Sequence, residues 1–442
     1  MMNYLTPTVP PIFDNFYKQF DAIFSEPSHR ENCRLYGTGR LLEIQRQNIP
    51  SLGEHIISAN YQAMHHFLHD APWDDEALND QRIEILENSI QTKSCDDGYI
   101  IIDDTGNPKS GKKTFATRRQ WIGSLGKVDN GQVVVTSHYV DSRKDWPIYH
   151  RPYLPKDWVE QYNACHDDNL YVFQSKLDLG LELIDDSKKR NIKLSHLWRD
   201  SWYGNSPNFI KSVEDKKCLY ITPLYANRRV YFSLPLNSGG QPLSPREKEE
   251  NEHQVKDLVT VLFDDDFVQI QYTKANGEVC TVYVVDISLK IKKLQGERRI
   301  LIVTPTKDEK EMEKIDVLMT NDTRSSVPFL LRSWSFRDTI DKFYQRGKDD
   351  LGCDQYQVRD EKPIRRHWYM VFLMYTFLIR HRQCGSFRKW CTHCLNTFGE
   401  LLAIIRTKLM LYFQRWCFEN PKLWHDFLQN KKGIPMESYA VS

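Results

Sequence analysis

The chain has 442 residues, of which 40% are hydrophobic, and its 11 Trp, 22 Tyr and 21 Phe can supply a large core. This composition excludes a mainly disordered protein and gives room for two or three domains of ordinary size. The 60 Lys and Arg against 59 Asp and Glu leave a net charge of +1. Contact with an anionic partner must therefore come from local basic patches.

The N-terminal residues 1–11 lack the basic stretch and apolar stretch of a signal peptide. The longest apolar run, 368–379, is too short to span a bilayer and has arginines at both ends, so it predicts a buried helix. Ten cysteines without a secretory signal indicate reduced thiols. We therefore expect a cytoplasmic protein with no membrane segment.

The first 90 residues predict helices, because apolar residues recur at helical spacing in 12–24 and again in 52–68. The pattern changes at 99–102, a β-branched apolar run that ends in Asp-Asp-Thr-Gly and predicts a buried strand with a turn. Later elements are predicted in this order: strand 132–137, helix 177–190, strand 192–198, a hairpin around Asn276-Gly277, strands 299–303 and 316–319, and helices from 325 to about 430. This order indicates an α/β core interrupted by a β-rich insertion.

Two carboxylates follow predicted strands. Asp104 ends the strand at 99–102, and Asp200 ends the strand at 192–198. Carboxylates on rigid elements suit the paired divalent cations that assist phosphoryl transfer. Asp103 is adjacent to Asp104, and alternation directs it to the opposite face of the strand. Taken alone, each acid is also typical of a turn or a helix cap.

A third acid lies in a helical pattern. Trp334, Arg337, Asp341 and Lys348 are separated by three, four and seven residues, which predicts that they share one helix face. A cation, a carboxylate and a second cation on one face suit a surface that binds metal and phosphate. The same pattern is also common on a solvated helix face.

These segments carry a resemblance to a known family. Residues 102–111 read I-D-D-T-G-N-P-K-S-G, residues 200–204 read D-S-W-Y-G, and residues 351–359 read L-G-C-D-Q-Y-Q-V-R. With the 334–348 spacing, they resemble the motifs of DDE-superfamily insertion-sequence transposases, nearest to the insertion-sequence 701 group of the insertion-sequence 4 clan. Residues 64–74, M-H-H-F-L-H-D-A-P-W-D, are similar to the H-F-L-x-x-x-P-W of the same group.

The resemblance implies a ribonuclease-H-like core and three catalytic acids, Asp104, Asp200 and Asp341. These acids would bind two Mg²⁺, for which Mn²⁺ can substitute. Asp104 is preferred to Asp103 because the family acid directly precedes the threonine. Asp103, Trp334 and Tyr203 are expected to support the site.

The expected partner is double-stranded DNA, at terminal inverted repeats and at the target, bound by a homodimer in the bacterial nucleoid. Arg337 and Lys348 are predicted to hold phosphates near the metals. Phosphate contacts are also expected from the basic patch after the first acid, at Lys109, Lys112, Arg118 and Arg119. A second basic patch covers 361–390.

The pattern of predicted elements and the resemblance together predict a division of the chain. We expect a helical DNA-binding domain at 1–95, a first part of the core at 96–235, a β-rich insertion at 236–298, a second part of the core with the third acid at 299–360, and a helical C-terminal region at 361–442.

Two departures from the family pattern keep alternatives open. Asp341 stands where the family has Glu, which shortens the reach of the carboxylate by ~1.5 Å. Trp334 stands where the family has Tyr. A catalytically impaired transposase kept as a DNA-binding protein is the first alternative, and a structure-selective nuclease without strand transfer is the second.

Two weaker patterns are set aside. Residues 106–114 resemble a P-loop but lack the Ser or Thr after the lysine. Cys391 and Cys394 have the spacing of one half of a zinc site, without a second pair of ligands at suitable spacing.

Overall fold

The computed structural model describes residues 4–166, 170–199, 204–231, 252–262, 266–307, 312–391 and 395–430. Asp200, Tyr203 and Cys394 lie outside the described residues. The helices are α1 Pro11–Tyr17, α2 Pro27–Gly39, α3 Ile49–His55, α4 Tyr61–His69, α5 Asp75–Glu87, α6 Lys156–His166, α7 Lys176–Lys189, α8 Pro207–Asp215, α9 Val255–Val261, α10 Val327–Trp334, α11 Asp338–Asp349, α12 Glu361–Gln383, α13 Phe398–Glu419 and α14 Pro421–Asn430.

The strands are β1 Tyr99–Pro108, β2 Arg118–Ile122, β3 Lys127–Val140, β4 Asp145–Tyr153, β5 His196–Arg199, β6 Leu219–Pro223, β7 Arg229–Tyr231, β8 Glu252–Gln254, β9 Val268–Thr273, β10 Val279–Ile291, β11 Glu297–Thr304 and β12 Asp316–Thr320. Short 3₁₀ turns occur at Lys18–Ile23, Gly123–Leu125, Met312–Lys314 and Arg388–Trp390.

The chain forms two compact units. Unit 1 comprises Met1–Lys93, Asn107–Gln132 and Lys342–Ser442, and unit 2 comprises Ser94–Gly106 and Val133–Asp341. Within unit 1, the N-terminal helices α2, α4 and α5 pack against the C-terminal helix α12. The N-terminal and C-terminal helical segments, expected as separate regions, therefore share one core. The five-part division otherwise stays a prediction.

Helix α12 is the centre of unit 1. The apolar run 368–379 lies within this helix and is buried along its whole length, which confirms the predicted buried helix. Such an all-round apolar helix is stable in water only when other helices cover every face. Among the described residues, no helix is both long enough and apolar enough to cross a bilayer.

One arginine connects α12 to the turn that follows α4. Arg366 is 1% exposed, and its guanidinium donates hydrogen bonds to the backbone carbonyls of Phe67, Leu68, Ala71 and Trp73. It also lies 4.2 Å from the centre of the Trp73 ring. Burial lowers the pKa of Arg366 to about 10. This arginine stabilises the H-F-L-H-D-A-P-W turn and is not available to a ligand.

Unit 2 is built on a mixed sheet. Its strand order is β4-β3-β1-β5-β6-β12-β11-β10-β7-β8, with β9 paired to β10. Strands β1, β5 and β6 are parallel, and Ile101 pairs with Trp198 in register. The isoleucines of β1 are at most 3% exposed, as expected for a strand covered on both faces. The mixed sheet and its helices confirm the predicted α/β class.

The predicted hairpin around Asn276-Gly277 is confirmed as β9 and β10. Gly277 has φ +87°, a left-handed conformation that favours glycine. Strand β10 continues along β11 and so extends the main sheet. At the hairpin tip, the backbone N–H of Ala275 donates to Ser335 Oγ at 2.8 Å, which connects the β-rich segment to the turn after α10.

We expect Arg366→Met to lower the free energy of unfolding by roughly 3 kcal/mol or more, because four buried carbonyls lose their donor. Arg366→Lys should recover little, since one ammonium cannot reach all four oxygens. Urea unfolding of the full chain measures both variants. Arg382→Met, at the end of the same helix, is the matched control and should change the value by less than about 0.5 kcal/mol. Equal effects at 366 and 382 would contradict this role.

Candidate active site

A cavity of about 400 Å³ lies in unit 2 where the parallel strands β5 and β6 end. Its lining includes Ile101 and Asp103 of β1, Trp198 of β5, Trp334 at the end of α10, Arg337 of the next turn, and Asp341 of α11. Substrates of α/β proteins bind beyond the carboxyl ends of parallel strands. The cavity therefore occupies the expected position for a site and brings together a first acid, a third acid and a cation.

The structure separates the two adjacent acids of β1. Asp103 lines the cavity with Asp341, whereas the Asp104 carboxylate accepts a hydrogen bond from Lys176 Nζ at 2.7 Å. Lys176 is the first residue of α7, and both side chains of this pair are about one-fifth exposed, at 19% and 23%. The catalytic role predicted for Asp104 stays a prediction, and of these two acids only Asp103 lines the cavity.

The second acid cannot be located directly, because Asp200 lies outside the described residues. The strand leading to it is described: Trp198 of β5 is fully buried and pairs with Ile101. The motif's last residue, Gly204, is also described. A Cβ at this position would overlap the side chain of Thr222 on β6, so only glycine fits there.

The third motif does not form one continuous helix, so that part of the prediction is wrong. Helix α10 ends at Trp334, a turn follows, and α11 begins at Asp338. Trp334, Arg337 and Asp341 nevertheless line the same cavity. One continuous helix and two helices joined by a turn can both bring these residues to the same cavity. The spacing of the residues in the sequence cannot distinguish the two arrangements.

Trp334 connects this motif to the sheet. Its ring centroid is 5.0 Å from that of Trp198, and the side chain is 8% exposed. The Arg337 guanidinium lies 4.4 Å above the Trp334 ring, and its Nε is 3.1 Å from Asp338 Oδ1. About half of the Arg337 side chain, 48%, is exposed. Its Nη1 also lies 3.9 Å from Asp316 Oδ1, so two carboxylates already face this guanidinium and a phosphate would bind at its remaining N–H groups.

Comparison with known proteins decides the family. Residues 15–274, more than half of the chain, match the family described as DDE superfamily endonuclease. The chain belongs to the DDE superfamily of endonucleases. Residues 174–377 also match the family described as transposase DDE domain. The two matched regions together contain all of the predicted acids.

Relatives of this DDE protein include the probable transposase for insertion sequence element IS701 of Microchaete diplosiphon. The two are 28% identical over 225 residues, which is 51% of this chain and 56% of the relative. The chain thus matches a little more than half of the relative's length. Among solved structures, the NurA nuclease from Sulfolobus solfataricus matches at 8% identity, covering 69% of this chain and 92% of that one. Its TM-score of 0.26 is too low to bear on fold or function.

In this DDE chain, Lys109 of the motif at 102–111 contacts two residues of the motif at 351–359. Its Nζ lies 3.6 Å from the centre of the Tyr356 ring and donates to the Asp354 backbone carbonyl at 3.0 Å. Burial lowers the pKa of Lys109 to about 8. Burial also raises the pKa of Asp354, an effect that the charges of Lys348 and Lys109 oppose. Lys109 therefore has a structural role within unit 1, and its predicted phosphate contact stays a prediction.

The other predicted phosphate contacts lie in unit 1. Lys112 and Arg119 are exposed, and Arg118 is half-buried. Arg118 donates to the Thr117 backbone carbonyl at 3.0 Å. Their contact with DNA stays a prediction, as does that of Lys348, which lies on α11 beyond Asp341.

The second basic patch divides into two groups. Arg365 pairs with Asp75 and Arg366 binds backbone carbonyls, so both are structural. Arg380, Arg388 and Lys389 instead line a cleft of about 940 Å³ in unit 1. Sequence reasoning missed Lys408, which lines the same cleft from α13. No local sequence pattern distinguishes the cations that bind other protein groups from those that line the cleft.

We expect the Asp104–Lys176 pair to contribute about 0.5–1 kcal/mol to stability, because it is partly shielded from solvent. A double-mutant cycle with Asp104→Asn and Lys176→Met, followed by urea unfolding, measures this coupling. The exposed pair Asp96–Lys193 is the matched control and should show a coupling near zero. A coupling at 104–176 no larger than the control would show that Lys176 does not hold Asp104.

Proposed function

We propose that this DDE endonuclease is a DNA transposase that cuts and joins double-stranded DNA at the ends of an insertion sequence. The single observation that carries the proposal is the cavity shared by Asp103, Arg337 and Asp341. Support also comes from the family match and from the similarity to a probable insertion-sequence transposase. Terminal inverted repeats, target DNA and a homodimer follow as the expected partners.

The chemistry of the cavity fits divalent cations. Asp103 and Asp341 present hard oxygen donors to one space, and such donors suit Mg²⁺ or Mn²⁺. We assign Asp103, Asp200 and Asp341 as the residues that would hold two ions. When bound, the ions supply Lewis-acid stabilisation of the oxygens that attack and leave phosphorus.

The assignment of Asp103 in place of Asp104 rests on the strand period. Asp103 lies two residues after Ile101, and Asp200 lies two residues after Trp198, the in-register partner of Ile101. Residues two apart on a strand share a face. Asp104 lies on the opposite face of β1, and its carboxylate is paired with Lys176. Asp104 therefore orients the start of α7.

The remaining residues bind and orient the DNA. Arg337 presents its guanidinium beside Asp341 and would contact the phosphate to be cut, since a planar guanidinium can make two parallel hydrogen bonds to phosphate oxygens. Trp334 positions Arg337 by stacking beneath it.

The test is cleavage of element-end duplexes by the full chain in Mg²⁺ or Mn²⁺. We expect Asp103→Asn, Asp200→Asn and Asp341→Asn each to lower the rate by roughly 100-fold or more, because a metal-binding oxygen is lost. Asp104→Asn is the matched control and should stay within about 5-fold of the wild type. An inactive Asp104→Asn beside an active Asp103→Asn would overturn the assignment.

A second candidate function, binding without cleavage, is favoured by one observation: an aspartate occupies the position of the family's glutamate. Asp341→Glu tests it, since the longer side chain regains ~1.5 Å of reach. We expect the wild type to cut, and Asp341→Glu to cut at least as fast. A wild type that binds element ends without cutting them, beside an Asp341→Glu that cuts, would identify a DNA-binding protein derived from a transposase.

A further inference from the structure

A second cavity in unit 2, of about 620 Å³, is strongly basic. Four of its lining residues are cations, Arg228, Arg229, Lys292 and Lys293, and none of the described residues that line it is acidic. We call this cavity the Arg228 pocket. We propose that the Arg228 pocket binds a backbone phosphate of the DNA, next to the site where the strand is cut. This inference rests on the proposed function, because it takes the substrate to be DNA.

Arg228 is the fixed element of the pocket. Its guanidinium donates to the backbone carbonyls of Asn205 at 3.0 Å and Lys292 at 3.1 Å. Its buried Nε has no hydrogen-bond partner among the described residues. Burial lowers the pKa of Arg228, with no carboxylate opposing this effect. A buried donor without a partner and a half-buried cation without a nearby acid both cost free energy, and an anion bound in the cavity would offset this cost.

The other cations are only partly neutralised. Glu252 contacts Lys292 Nζ at 2.8 Å and Arg229 Nε at 3.6 Å. The hydrogen bond from Lys292 lowers the pKa of Glu252, so this acid stays ionised. One carboxylate therefore faces four cations within the described part of the chain, and Lys293 is exposed. The remaining positive charge attracts an anion.

The N-terminus of α8 contributes to the same cavity. Asn205 and Ser206, which precede the helix, both line the pocket. Ser206 is the N-cap, yet its side chain makes no capping hydrogen bond, and the first turn contains no acid. The positive end of the helix dipole at such an N-terminus favours a phosphate. The four cations are the main evidence for anion binding in the Arg228 pocket, and the helix N-terminus adds to it.

The position of the pocket identifies the anion as part of the DNA. Pro223, at the end of β6, lines the Asp103–Asp341 cavity, and Tyr225, two residues later, lines the Arg228 pocket. Asn205 joins these positions, because its amide donates to the Pro223 carbonyl and accepts from the Tyr225 N–H, each at 3.2 Å. One short segment therefore borders both cavities. A DNA strand cut at the Asp103–Asp341 cavity would continue past the Arg228 pocket, where one of its backbone phosphates would bind.

The test uses Arg229→Gln/Lys293→Gln in the full chain, which removes two charges and leaves the half-buried Arg228 intact. Binding of an element-end duplex and of an unrelated duplex is measured in EDTA at several salt concentrations. We expect affinity for both duplexes to fall roughly 5- to 10-fold at 0.1 M salt, and the salt slope to become shallower by about one. Lys217→Gln, at the other end of α8, is the matched control and should leave both values unchanged.

A methylphosphonate scan of the element end then locates the contact. In the wild type, one neutralised phosphate near the cleavage position should weaken binding, while in the double variant the same substitution should cause a smaller loss, because only Arg228 and Lys292 still contact that phosphate. If the methylphosphonate at every position weakens binding of the double variant as much as it weakens binding of the wild type, the proposal is wrong.

The outcomes separate the two proposals. A wild type that binds and cuts DNA, with a double variant of equal affinity and salt slope, would exclude the pocket as a DNA contact and leave the proposed function intact. A wild type that binds no DNA would reject both. Inorganic phosphate at millimolar concentration is the second probe. If the double variant loses phosphate binding but keeps the wild-type salt slope, the pocket holds a free anion and the DNA assignment is wrong.

Discussion

The packing of the Trp198 ring against the Trp334 ring is the contact on which the candidate site depends. Trp198 is fixed in β5 by its register with β1, and Trp334 ends α10. Their ring centroids are 5.0 Å apart, a contact worth about 0.5–1.5 kcal/mol beyond burial. Because α10 ends on this contact, the following turn starts at the sheet edge. Arg337 and Asp341 thereby reach the cavity that Asp103 lines.

The two adjacent acids show what the sequence could and could not decide. The apolar run before them predicts a buried strand, and strand alternation predicts that Asp103 and Asp104 face opposite sides. Which side faces the cavity depends on tertiary packing, since α7 delivers Lys176 to one face and α10 delivers Trp334 to the other. These partners lie 72 and more than 200 residues away, and no local pattern contains them.

The roles of the cations also depend on tertiary packing that the sequence does not show. The sequence counts Arg366, Lys109 and Arg337 alike, although the structure places the first among carbonyls, the second against Tyr356 and the third over Trp334. The Arg228 pocket draws its charges from two segments about 60 residues apart, neither of which stands out in composition. Elements marked by a continuous apolar run, such as α12 and β1, were predictable because the run itself requires burial on every side. Sites formed by distant segments were not.

The central claim is that Asp103, and not Asp104, shares the metal-binding site with Asp341. The most direct measurement is anomalous scattering from crystals of the full chain grown with Mn²⁺ and element-end DNA. The account predicts Mn²⁺ bonded to carboxylate oxygens of Asp103 and Asp341, with Asp104 still paired to Lys176. Mn²⁺ bonded to Asp104, with Asp103 facing away from the ion, would contradict it.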